Sequence, residues 1–138
     1  MRPYYLVILL LLTSCQSSSN LSKLNNSFYV VARLNNETNV FALLDTGSTF
    51  CQIPKDVYKR LNVSSKNSID EVTTTLADGS QRKQQRGNLS QIEIEGKVIF
   101  NVPVLISEAG TPIIIGQSFL QRLNSYTIDN NKQTLNLI

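Results

Sequence analysis

Five consecutive apolar residues, Val40-Phe41-Ala42-Leu43-Leu44, run without a polar interruption into a single acid, Asp45. The run has strand length, and its lack of alternation predicts a strand buried on both faces. A carboxylate at the end of such a strand is costly unless it is hydrogen-bonded or used.

The remainder of the chain from Ser27 onward reads as short strands separated by turns, with no internal repeat. Phe28 to Leu34 is a strand candidate and Asn35 to Asn39 a turn. Pro54 to Leu61 carries helix formers behind a proline, which suits a first helical turn, so a short helix is expected there. Glu71 to Leu76 and the segment from Gln81 flank Asp78-Gly79, a dipeptide suited to the positive φ angles of a tight hairpin. Ile92-Glu93-Ile94-Glu95 alternates before Gly96, and Val98 to Leu105 continues as a strand despite Pro103. Ile113-Ile114-Ile115 is a second wholly apolar run, closed by Gly116 and followed by a short helical pattern at Phe119, Leu120 and Leu123. Tyr126 to Ile128, a turn at Asp129 to Lys132, and Thr134 to Ile138 complete the pattern. The fold class expected is mostly β, with one or two short helices.

The chain has 138 residues, 41% of them hydrophobic, which suits one compact domain. Thirteen Lys and Arg are scattered among ten acids, giving a net charge of +3 and no basic stripe, so no nucleic-acid partner is expected. The densest basic stretch, Arg82-Lys83-Gln84-Gln85-Arg86, has no interleaved aromatics for base stacking and reads as a solvated loop. Histidine is absent, which removes Ser-His and Cys-His hydrolases and most catalytic zinc sites. Carboxylate chemistry remains, and neither a metal nor another cofactor is expected. Cys51, between Phe50 and Ile53, reads as a small buried hydrophobe.

Met1-Arg2 followed by Tyr4 to Leu12 has the layout of a secretory signal, a short positive start and an apolar run too short to span a bilayer. The run ends in Leu12-Thr13-Ser14-Cys15, which resembles the bacterial lipobox. That resemblance implies cleavage before Cys15 and its acylation, hence a chain anchored by lipid to a bacterial envelope membrane and facing outside the cytoplasm, on the periplasmic side where an outer membrane exists. The expected organisation is a signal peptide over 1–14, a flexible polar tether over 15–26 and one domain over 27–138.

Asp45-Thr46-Gly47-Ser48 after paired aliphatic residues resembles the Asp-Thr-Gly motif of aspartic proteases. Ile114-Ile115-Gly116 is similar to the aliphatic pair and glycine that pass beneath the active-site loop in that group, and the hairpin around Leu76-Ala77-Asp78-Gly79 stands where the group has its flap. Gly116-Gln117-Ser118-Phe119-Leu120 resembles the Gly-x-x-Phe-Leu run of small bacterial members. Together these identify the chain as a member of the retropepsin-like aspartic proteases, with a small closed β-barrel-like fold implied.

No other aspartate precedes Thr-Gly or Ser-Gly, so one chain supplies one half-site and a twofold homodimer is expected. The resemblance implies that paired Asp45 carboxylates hold one proton between them, one serving as base toward water and the other as acid toward a peptide or protein substrate. It also implies that Thr46 hydrogen-bonds across the dimer, that Gly47 lets backbone approach the carboxylates, and that the flap closes over an extended peptide. Ser48 departs from the retroviral alanine, and its hydroxyl is expected to donate to Asp45. Gln117 departs from the charged residue of several viral relatives. The strand ending at Ile138 either pairs at a dimer interface or completes the monomer's sheet. The alternative reading is a membrane-tethered domain of the same shape that binds without catalysis.

Overall fold

The computed structural model describes residues 18–61 and 69–138. Its elements are β1 (Ser18–Asn20), β2 (Ser22–Leu24), β3 (Ser27–Leu34), β4 (Thr38–Leu44), β5 (Cys51–Pro54), α1 (Lys55–Arg60), β6 (Asp70–Thr75), β7 (Gln81–Ile94), β8 (Lys97–Ser107), β9 (Ile114–Ile115), α2 (Gln117–Leu120), β10 (Tyr126–Asp129) and β11 (Thr134–Leu137).

Turn chemistry sets the hairpins. Asn35 and Asn36 both hold positive φ, 49° and 59°, and the turn closes with the Glu37 N–H donating to the Leu34 carbonyl at 2.9 Å, which joins β3 to β4. Leu34 then faces Thr38, and the register runs back to Tyr29 opposite Leu43. The β6–β7 hairpin turns through Gly79, whose φ of 82° suits glycine, and the Leu76 N–H donates to the Ser80 carbonyl at 2.8 Å.

The larger sheet runs β2-β3-β4-β9-β5-β8-β7-β6, and β7 also pairs with β3 through Arg33–Glu93 and Leu34–Ile92. That last pairing closes β3, β4, β9, β5, β8 and β7 into a ring, the closed barrel-like form expected. A separate sheet, β1-β11-β10, is built from the two ends of the described chain. Pro103 is accommodated because β5 begins pairing with β8 only at Val104, which leaves one edge open at the proline.

Inside the ring lie Ala32, Leu34, Ile53, Leu89, Ile92, Val102, Val104, Ile115 and Phe119, all fully buried. Each large side chain of this kind contributes about 1.5–3 kcal/mol through removal from water. α1 follows Pro54, carries Asp56 in its first turn and Lys59 and Arg60 in its last, and buries Tyr58. The Tyr58 ring lies where a side chain at position 87 would stand, since a Cβ on Gly87 would meet its hydroxyl oxygen at 2.2 Å.

Four expectations are corrected. β4 is not buried on both faces: Ala42 and Leu44 are buried, whereas Phe41 is 53% exposed. The β3–β4 hairpin turns one face outward, where Phe41 stacks on Tyr29 with ring centroids 4.9 Å apart. The span expected as tether is strand from Ser18, because β1 pairs with β11, β2 pairs with β3, and Leu21 between them is buried. Residues 18–24 of that span thus pack with the domain; Cys15 and the signal over 1–14 lie outside the described residues. The basic stretch Arg82 to Arg86 is exposed at Arg82, Lys83 and Gln85 and half-buried at Gln84 and Arg86, but it is strand and not loop, carrying the ion pairs Arg86–Asp70 and Lys83–Glu71. The fourth is Ser48, whose hydroxyl bonds within its own loop.

Candidate active site

β4 and β5 are consecutive in the chain but are not paired, because β9 lies between them. β9 runs parallel to β4, with Leu43 opposite Ile114 and Leu44 opposite Ile115, and antiparallel to β5. The loop Asp45–Phe50 must therefore cross the end of β9, where Gly116 follows. A Cβ at Gly116 would meet the Phe50 carbonyl oxygen at 2.5 Å and that of Ser48 at 2.7 Å, so only glycine leaves room for the crossing. Ile114 and Ile115 sit in the sheet beneath the loop, outside the cleft itself.

The loop is fixed chiefly by main-chain bonds. The Asp45 N–H donates to the Ile115 carbonyl at 3.0 Å, and the Gln117 N–H donates to the Ser48 carbonyl at 2.8 Å. The Gln117 side-chain amide donates to the Thr46 carbonyl at 2.7 Å and reaches the Tyr126 hydroxyl at 3.5 Å. The Gly47 N–H donates to Asp45 Oδ1 at 2.9 Å, which orients the carboxylate and satisfies one of its acceptor sites. The Ser48 hydroxyl does not donate to Asp45; it donates to the Phe50 carbonyl at 3.0 Å. That bond ties the loop to its own far end, which corrects the role expected for Ser48.

Asp45 and the flap share one cleft of about 520 Å³. Asp45, Gly47 and Ser48 form its floor, Leu76 and Ala77 its roof, and Gln52, Gln84 and Leu105 part of its walls. Asp78 and Gly79 form the hairpin tip without lining the cleft, and Thr46 is exposed beside it. The Asp78 carboxylate accepts from the Ser80 hydroxyl at 2.6 Å and the Ser80 N–H at 2.9 Å, and these bonds hold it below the usual carboxylate range. Asp45 is the one carboxylate lining the cleft among the described residues.

Beneath the loop, Cys51 is fully buried and unpaired, as expected of a small hydrophobe, and burial pushes its thiol up. Its N–H donates to the Ser118 hydroxyl at 2.8 Å, so α2 is pinned under the loop by a buried polar contact. Sequence reasoning missed the lining residues Gln52, Thr74, Gln84 and Leu105. Strand alternation carried their only signal: Val72, Thr74 and Gln84 share the half-buried face of the β6–β7 hairpin.

A family model described as gag-polyprotein putative aspartyl protease matches residues 30–122. Among solved structures, the chain is similar to a retropepsin-like aspartic protease from Rickettsia conorii. That match has a TM-score of 0.65 and 22% identity, covering 88% of this chain and 90% of that one. It is also similar to EIAV protease complexed with an inhibitor, with a TM-score of 0.60 and 19% identity, covering 78% of this chain and 98% of that one. These likenesses are of fold. No curated protein matches the chain in sequence.

Proposed function

The chain belongs to the gag-polyprotein aspartyl protease family, and from that premise we propose that it is an aspartic endopeptidase that works as a homodimer, with Asp45 as the catalytic carboxylate. The observation that carries this reading is that Asp45 is the single carboxylate lining the cleft among the described residues: a second acid has to come from another copy of the chain. Two Asp45 groups brought face to face share one proton, so that one activates water while the other protonates the scissile carbonyl or the leaving nitrogen. Thr46, exposed at the loop's edge, is free to bond its counterpart across the twofold axis. Leu76 and Ala77 close over an extended peptide and exclude water.

Lipid attachment at Cys15 and an envelope location outside the cytoplasm belong to the same proposal. The lipid would hold the domain, whose described strands begin at Ser18, at the membrane surface.

The test compares the chain from Gln16 onward with its Asp45→Asn variant on a diverse peptide library at several protein concentrations between about pH 4 and 7. Cleavage by the native chain alone, rising faster than linearly with concentration, is the expected result. Absence of cleavage by protein shown to be folded and dimeric would sink the protease reading and favour a binding module.

A further inference from the structure

A second cavity, about 330 Å³, adjoins the cleft that holds Asp45, and Gln52 and Gln84 line both. Its walls carry the cations Lys55, Arg82 and Lys83 and one acid, Glu108. Lys55 is neutralised by Glu108, and Lys83 by Glu71 at 3.0 Å. Arg82 has no ion pair among the described residues; its influence on Asp78 is the weakest of those acting there.

Strand alternation puts Arg82 on the same face of the hairpin as Gln84, at the exposed end of that face. Arg82 is opposite Thr74 and Gln84 is opposite Val72, so these four share one face of the hairpin. That face is half-buried at Val72, Thr74 and Gln84, whereas Glu71, Thr73 and Lys83 on the other are exposed. Gln84 is held by the Thr74 hydroxyl at 2.6 Å, which fixes its side chain where it lines both cavities. The Gln52 amide has no hydrogen-bond partner among the described residues and stands at the same junction.

The geometry points to a substrate subsite that takes an acidic side chain, a Glu or Asp of the bound peptide, on the Arg82 guanidinium. This rests on the proteolytic reading above, and it adds selectivity to it. A peptide lying in the cleft passes Gln52 and Gln84 and delivers a side chain into the second cavity. A guanidinium can grip a carboxylate with two parallel hydrogen bonds, which gives direction as well as charge. A twofold dimer repeats the cavity, so the preference falls at one position on each side of the scissile bond.

The test uses the full chain extracted in detergent. Peptides carrying Glu, Gln or Lys at each position within about four residues of the cleaved bond are compared for kcat and KM. Binding of the same peptides to the Asp45→Asn chain is measured by fluorescence anisotropy, so that the subsite is read even where no cleavage occurs. The expected result is about a threefold to fivefold advantage of Glu over Gln at one position per side, carried by KM and shrinking with salt. Arg82→Gln abolishes it, Arg82→Glu turns it toward Lys, and Lys59→Gln, at an exposed cation that lines neither cavity, leaves it unchanged. Cleavage or binding without any preference for acid, or a preference that survives Arg82→Gln, would overturn the subsite while leaving the protease reading intact.

Discussion

The side-chain amide of Gln117 donates to the main-chain carbonyl of Thr46 at 2.7 Å, although 71 residues separate them. The same amide reaches the Tyr126 hydroxyl in β10, so one side chain links the Asp45 loop to the sheet formed by the chain ends. Gln117→Ala removes that link but keeps the Gln117 N–H bond to Ser48. The expected outcome is a fall in kcat of about tenfold with KM little changed, since loop position suffers and flap contacts do not. Steady-state kinetics on a cleaved peptide checks it; a change confined to KM would place Gln117 in substrate binding instead.

Ser48→Ala is predicted to leave the acidic limb of the pH–rate profile where it is. The hydroxyl donates to the Phe50 carbonyl and not to the Asp45 carboxylate, so its loss does not act directly on the acid. The cost should appear as about 1 kcal/mol of stability in urea unfolding, the worth of one part-buried hydrogen bond. A displaced acidic limb at unchanged stability would contradict the geometry.

Gly116 and Gly47 should respond differently to alanine. At Gly116 the new Cβ meets the Phe50 and Ser48 carbonyl oxygens at 2.5 and 2.7 Å, and both belong to main chain that cannot retreat without moving the loop. A loss of about 3 kcal/mol or more is expected. At Gly47 the nearest atom is Asp45 Oδ1 at 3.4 Å, an ordinary contact. Gly47→Ala should therefore fold with near-native stability yet lose activity, because the added methyl stands beside the carboxylate where the proposed function brings a second chain and substrate. Thermal unfolding beside peptide cleavage separates the two effects.

These sites were legible because their chemistry is local. Asp45 stands at the end of an apolar run, Asp78-Gly79 declares a hairpin, and Gly116 follows an aliphatic pair that had to be sheet. The apolar run itself misled about burial, since Phe41 is as apolar as Leu44 but covers Tyr29 on the outer face. β1 was not legible because its pairing with β11 is made by backbone, and the polar side chains of Ser18 to Asn20 carry no periodic signal. The partners of Ser48 and Gln117, and the meeting of Gln52 with Gln84, depend on how β9 and the flap hairpin cross in space. No spacing in the sequence encodes that.

The flap hairpin should loosen in acid. Arg86 hydrogen-bonds Asp70 at the hairpin's base and holds its carboxylate below the usual range; Ser80 does the same to Asp78 at the tip. A depressed folded value means that the stabilisation is fully present above the ordinary aspartate pKa of about 3.9 and is lost as pH falls through the lowered values. Both acids are exposed, so the effect is small and weakens with salt. An NMR titration from about pH 6 to 2 should move the Leu76, Gly79 and Ser80 amides before the barrel unfolds, and Asp70→Asn with Asp78→Asn should remove that early step. Hairpin and barrel signals changing together would count against it.

Anchoring at Cys15 should change how activity depends on dilution. On the homodimer reading proposed above, a half-site works only when paired, so the active fraction of a soluble chain should fall with total concentration. Chains held on a surface by lipid meet at an effective concentration set by their density in the membrane, which bulk dilution leaves unaltered. On serial dilution, the Cys15→Ser form should lose specific activity as the free concentration drops below its dimer constant, while vesicle-bound wild type at constant lipid-to-protein ratio should hold it. Coincident dilution curves would show that the anchor plays no part in pairing.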